Sequence, residues 1–154
     1  MQLDREKDLK IERVIDVPPD KIWICLTTPE HIPHFFIPKP HRITHCDIEL
    51  KVGGRFNMTF EVEDHQIQND GVYLEIVNQK KLVFTDAYTE GWSPIEHPFC
   101  TGIILLEDLG NDQTKYTSIA RHRTSAARLE HENMGFYIGW NIVIDQLESY
   151  AKQQ

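Results

Sequence analysis

The run from Met134 to Tyr150 constrains the fold more than any other stretch of the chain. Its spacing predicts a long helix, with Phe136, Trp140, Val143, Leu147 and Tyr150 on one stripe. Yet it holds Gly135 and Gly139, each beside aromatic residues. Glycine inside a helix costs about 1 kcal/mol relative to alanine. Two such positions predict a helix that needs clearance on one side, for a close backbone or for a ligand. Met134, Ile138 and Ile142 lie off the stripe, so the N-terminal half is expected to be buried on several sides and the C-terminal half to lie on a sheet.

The sheet is legible upstream. Leu9, Ile11, Val14 and Val17 suit a first strand that ends at Pro18-Pro19. The prolines open a helix, since the first turn does not need their missing N–H, and Ile22, Trp23 and Leu26 give it an apolar face. A second short helical turn runs from Pro29 to about Phe36. Ile43 to Leu50 reads as a strand, and Gly53-Gly54 as a turn. From Arg55 to Val62, Phe56, Met58 and Phe60 alternate with polar residues, the period of a half-buried strand. Glu63 to Asp70 reads as a polar hairpin turn. Further strands are expected at Gly71 to Val77 and from Leu82, with Leu82, Phe84, Asp86 and Tyr88 on one face. A long loop from Thr89 to Pro98 contains Trp92. Phe99 to Glu107 and Thr114 to His122 form a last hairpin around Gly110-Asn111-Asp112. Strands in a run followed by a helix predict an α+β fold, a curling antiparallel sheet closed by the terminal helix.

Composition narrows the function. The 154 residues suit a single domain spanning 1–154. A net charge of -8 argues against nucleic acid and against an anionic membrane as partners. No apolar run approaches a membrane span, the N-terminus lacks a secretory pattern, and Cys25, Cys46 and Cys100 are scattered, so a cytoplasmic location is expected. No phosphate-binding glycine loop, nucleophile elbow or zinc-protease helix is present. His31, His34, His41 and His45 with Cys46 do not have the spacing of a structural zinc site, so neither a metal nor a cofactor is expected.

Several motifs carry a family resemblance in their order and spacing. They are Val17-Pro18-Pro19 with Ile22-Trp23, Thr28-Pro29-Glu30, Phe35-Phe36-Ile37-Pro38, and Asp47 before Gly53-Gly54-Arg55-Phe56. They continue with Gly71-Val72-Tyr73-Leu74-Glu75-Ile76, Lys81-Leu82-Val83-Phe84-Thr85, Thr114-Lys115-Tyr116-Thr117, and Gly135 with Gly139-Trp140 before Leu147. Over almost its whole length the chain resembles the START-like (SRPBCC) superfamily, and within it the family of activator-of-heat-shock-protein-90-ATPase homologues. The resemblance implies a helix-grip fold: a curved antiparallel sheet around a long C-terminal helix, with two short helices after the first strand. It also implies a cavity between sheet and helix for an apolar, lipid- or polyketide-like molecule. Some members are polyketide cyclases and some are co-chaperones linked to stress responses. The co-chaperone has a second domain that clamps the chaperone, and this sequence reads as one, so a chaperone partner is the lesser expectation. The sequence departs from the pattern at Phe35-Phe36, where tryptophan is common, and at Asp86, where an aromatic is common.

The candidate ligand-binding set is Phe36, Phe56, Met58, Phe60, Leu74, Phe84, Asp86, Tyr88, Trp92, Phe99, Met134, Phe136, Tyr137 and Trp140. These residues suit an adaptable apolar pocket, with Trp92 gating its mouth. Asp86 stands out as a carboxylate on an apolar strand face. If Tyr116, Ser118 and Ala120 face inward, so does His122. Asp86, His122 and Tyr137 are therefore the weak candidates for acid–base catalysis of a cyclase or hydrolase kind. Binding without catalysis is the preferred expectation. Met134 and Ile138 leave a homodimer open.

Overall fold

The computed structural model describes residues 2–154. Strand β1 (Asp8–Ile15) leads to helix α1 (Pro19–Thr27) and a 3-10 turn (Ile32–His34). Then come β2 (Arg42–Ile48), β3 (Phe56–Val62), β4 (His65–Asn69), β5 (Val72–Val77) and β6 (Lys81–Thr85). Two short strands, β7 (Tyr88–Thr89) and β8 (Ser93–Pro94), pair with each other within the long loop. The chain ends with β9 (Thr101–Gly110), β10 (Gln113–Arg121), α2 (Ser125–Asn133) and α3 (Phe136–Lys152).

All strand ladders are antiparallel. One sheet has the order β1-β10-β9-β6-β5, and a second has β2-β3-β4. Bridges from Val52 to Tyr73 and from Arg55 to Val72 carry one into the other. The result is the curved sheet of an α+β helix-grip fold. The β9–β10 turn places Asn111 and Asp112 at φ 54° and 60°, the twist that suits a tight hairpin.

The local rules explain the core. In β1, Leu9, Ile11 and Ile15 face inward, whereas Val14 is exposed. The start of β3 also follows its alternation, with Phe56 and Met58 buried. The segment expected to be a turn at Glu63 to Asp70 instead holds a tight turn at Glu63-Asp64 and the strand β4. Glu63 and Asp64 both take positive φ there, which lets so polar a sequence reverse direction.

The terminal helix buries Phe136, Val143, Ile144, Leu147 and Ala151 in the main core. Its C-terminal half is pinned by polar contacts. Gln146 Nε2 donates to the carbonyls of Phe35 (2.9 Å) and Ile37 (2.8 Å), and Arg13 holds Asp145 at 2.6 Å. The N-terminal half differs from expectation. Met134 and Ile138 are 66% and 73% exposed, and Ile142 also faces outward, because the sheet covers only one side of the helix. Gly135 is not inside the helix either. It has φ +98° and separates α2 from α3, so the C-terminal helical segment is broken in two.

Candidate functional site

A cavity of about 640 Å³ lies between the sheet and the N-terminal half of α3. That volume falls in the range of small-molecule sites. Its body is aromatic. Phe36, from the segment after the 3-10 turn, meets Trp140 of α3 edge-on at 5.4 Å. Phe56 of β3 and Phe84 of β6 approach to 4.5 Å between ring centres. Phe84 also lies across Gly102 of β9; a Cβ there would come within 2.4 Å of its ring, so only glycine leaves room for it. Gly135 and Gly139 both border the cavity, and a Cβ built on either meets nothing within 4 Å. The clearance that the two glycines imply therefore opens onto this space.

One part of the lining is polar. Asp86 lies just beyond β6, where the strand has ended, so it does not continue the Leu82–Phe84 face as expected. Its carboxylate accepts the backbone N–H groups of Phe99 (2.8 Å) and Cys100 (3.2 Å). Asp86 thereby fixes the approach to β9. Cys100 also lines the cavity; burial, and then the charge of Asp86, push its thiol up to about 12. Next to it stands His131 of α2, packed against Phe99 at 4.5 Å and Phe136 at 5.2 Å. Burial, and then the neighbouring His122, lower His131 to about 4, so this imidazole is neutral at neutral pH.

His122 follows β10 on the same face as Tyr116, Ser118 and Ala120, and it is buried. Its Nδ1 lies 2.8 Å from the Lys7 carbonyl, and its Nε2 lies 2.8 Å from His131 Nδ1. A carbonyl can only accept, so His122 Nδ1 carries a proton; in the neutral imidazole its Nε2 then accepts from His131 Nδ1–H. His122 thus stands behind His131 rather than on the cavity wall.

The structure brings Phe36, Phe56, Phe60, Phe84, Asp86, Phe99, Met134, Phe136 and Trp140 to the cavity. It places five other expected residues elsewhere. Met58 is packed in the core. Leu74 falls at the β5 register shift between Tyr73 and Glu75 and packs with Val83, Ile103 and Ile119 in a separate cluster. Tyr88 and Trp92 pair edge-on at 5.8 Å in the β7–β8 loop, with the Trp92 ring over Gly53, so Trp92 does not gate the cavity. Tyr137 is part-exposed on the outer side of Phe136, and Asp86, His122 and Tyr137 do not form one catalytic set. Sequence reading missed Cys100 and His131. The available signal was Thr124, whose side chain caps α2 by accepting the Ala127 N–H at 3.1 Å. The good helix formers after it would have marked α2 and placed His131 one turn before Gly135.

A curved sheet gripping a long helix over an apolar cavity defines a START-like protein. The particular family follows from direct comparison: residues 16–152 match the model of the Activator of Hsp90 ATPase homolog 1-like protein family, and the chain belongs to it. A solved protein of Nitrosomonas europaea is 36% identical, over 98% of this chain and 97% of that one, with a TM-score of 0.94. A Chromobacterium violaceum protein (20% identical, covering 94% and 96%, TM-score 0.77) shares the fold. So does one from Rhodobacter sphaeroides (14% identical, covering 99% and 97%, TM-score 0.83). No curated protein matches the chain. Among the described residues, no helix is long and apolar enough to cross a membrane.

Proposed function

We propose that the protein binds one apolar small molecule, of lipid- or polyketide-like character, in the cavity between the sheet and α3. The observation that carries this reading is the cavity itself: a volume of about 640 Å³ walled mainly by aromatic and aliphatic groups. Such walls favour ligands through burial of apolar surface, at roughly 25 cal/mol per Å² before the costs of association. The few polar groups at Asp86, Cys100 and His131 would orient a ligand with one polar end. Family membership supports ligand-binding or cyclase-like roles in general and names no ligand.

Native mass spectrometry of gently purified protein tests the reading. A retained adduct, or one-to-one uptake from a panel of fatty acids, sterols and polycyclic phenols, is the expected result. Failure of every apolar compound to bind at a single saturable site would end it.

A further inference from the structure

Three side chains with metal-binding chemistry converge at the polar part of the cavity wall from three separate elements. Cys100 precedes β9, His122 follows β10, and His131 belongs to α2. One ligand atom from each lies within 4.8 Å of the other two. No spacing motif joins them, which is why the sequence alone predicts no metal here. We propose that Cys100, His122 and His131 bind a single divalent ion of the zinc class, with its fourth coordination position open to the cavity.

The donor set favours this ion. A thiolate with two imidazoles is borderline-soft and suits zinc, whereas magnesium and calcium take oxygen ligands. The nearby carboxylate of Asp86 is already engaged by two backbone N–H groups, which also hold Cys100 in place. The His122 imidazole has the orientation of a metal ligand. Its Nδ1–H is anchored on the Lys7 carbonyl at 2.8 Å, and its Nε2 lone pair points into the cluster. Ligating histidines are commonly oriented by such a contact. In a tetrahedral site with metal–nitrogen distances of about 2.0–2.1 Å and metal–sulfur of about 2.3 Å, donor atoms stand roughly 3.3–3.7 Å apart. The His122–His131 pair at 2.8 Å opens slightly to reach that spacing, and any donor pair standing near 4.8 Å closes by about 1 Å.

With both imidazoles neutral, the ion takes the lone pair of His122 Nε2. The His131 proton moves from Nδ1 to Nε2, freeing Nδ1 to bind without net loss of a proton. The Cys100 thiol gives its proton to solvent and binds as thiolate. One proton is released per ion. Cys100 and His131 both line the cavity, so the remaining position faces a bound molecule or water. The ion site shares the cavity assigned above to an apolar molecule but does not require that molecule.

Titration of the metal-stripped, reduced full chain with Co²⁺ tests the site. The expected spectrum shows one equivalent bound, with visible ligand-field bands of tetrahedral cobalt and a thiolate-to-cobalt charge-transfer band. Cys100→Ser should abolish the charge-transfer band and weaken binding by more than about tenfold. Cys25→Ser and Cys46→Ser should change neither. Calorimetric titration with Zn²⁺ in buffers of different ionisation enthalpy should report release of one proton. Circular dichroism of Cys100→Ser, expected to be retained, separates loss of the ion from loss of the fold, and apolar-probe binding by the metal-stripped wild type reads the cavity independently of the ion. No saturable Co²⁺ binding, a charge-transfer band that persists in Cys100→Ser, or one that vanishes in Cys46→Ser would overturn the proposal.

Discussion

Gly135 and Gly139 are joined by a 2.9 Å hydrogen bond from the Gly139 N–H to the Gly135 carbonyl, yet their backbones obey opposite constraints. Gly135 has φ +98°, a conformation that costs a residue with a side chain about 1–2 kcal/mol. Gly139 has ordinary helical geometry with open space beside it. Gly135→Ala should therefore destabilise the protein by roughly 1–2 kcal/mol, and Gly139→Ala should stabilise it by up to about 1 kcal/mol. Denaturant midpoints of the two variants check the pair, and equal signs would contradict this account of the break between α2 and α3.

Asp86 is expected to act on stability through the loop it holds. Hydrogen bonds to a charged group contribute about 1.5–3 kcal/mol when buried, and Asp86 is half-buried, so Asp86→Ala should cost on the order of 1–2 kcal/mol. Amide hydrogen exchange at Phe99 and Cys100 should accelerate in the variant more than exchange elsewhere in β9.

Stability should fall in acid through Asp8. Burial pushes this carboxyl up, but Arg121, bound at 2.9 and 2.8 Å, and the Asp4 N–H outweigh it and hold the carboxyl below its usual range. Between the depressed native value and the ordinary one, the unfolded chain binds the extra proton, so stability rises with pH. The contribution is complete above the ordinary carboxylate range and is lost as pH falls through the native value. Denaturation of wild type and Asp8→Asn at a series of pH values checks this: the difference between them should shrink steadily as pH falls below about 4.

Tyr73 is fully buried, and its hydroxyl is the buried side-chain polar atom without a hydrogen-bond partner among the described residues. An unmet buried polar group costs about 1–3 kcal/mol. Tyr73→Phe should leave the fold intact and raise stability by about 1 kcal/mol, read as a higher denaturant midpoint with unchanged slope.

The architecture was legible because it is written in periodicity. Alternation at Phe56 and Met58 and the stripe of Phe136, Val143 and Leu147 each report one buried face. The aromatic wall followed for the same reason. Leu74 and Asp86 were misplaced because a register shift in β5 and the early end of β6 interrupt the period on which their placement rested. Cys100 and His131 were missed because α2 is largely polar, and a polar helix leaves little periodic trace. Their meeting with His122 is tertiary: the start of β9, the end of β10 and α2 are brought together with no spacing motif to announce it.

The proposed function requires the space beneath α3 to receive an apolar molecule. Gly139→Phe tests it most directly, since the new side chain projects into the cavity from a position where a Cβ meets no neighbour. A fluorescent apolar probe titrated against both proteins should saturate the wild type at one equivalent and fail to bind the folded variant. Equal binding by the two proteins, or none by the wild type, would contradict it.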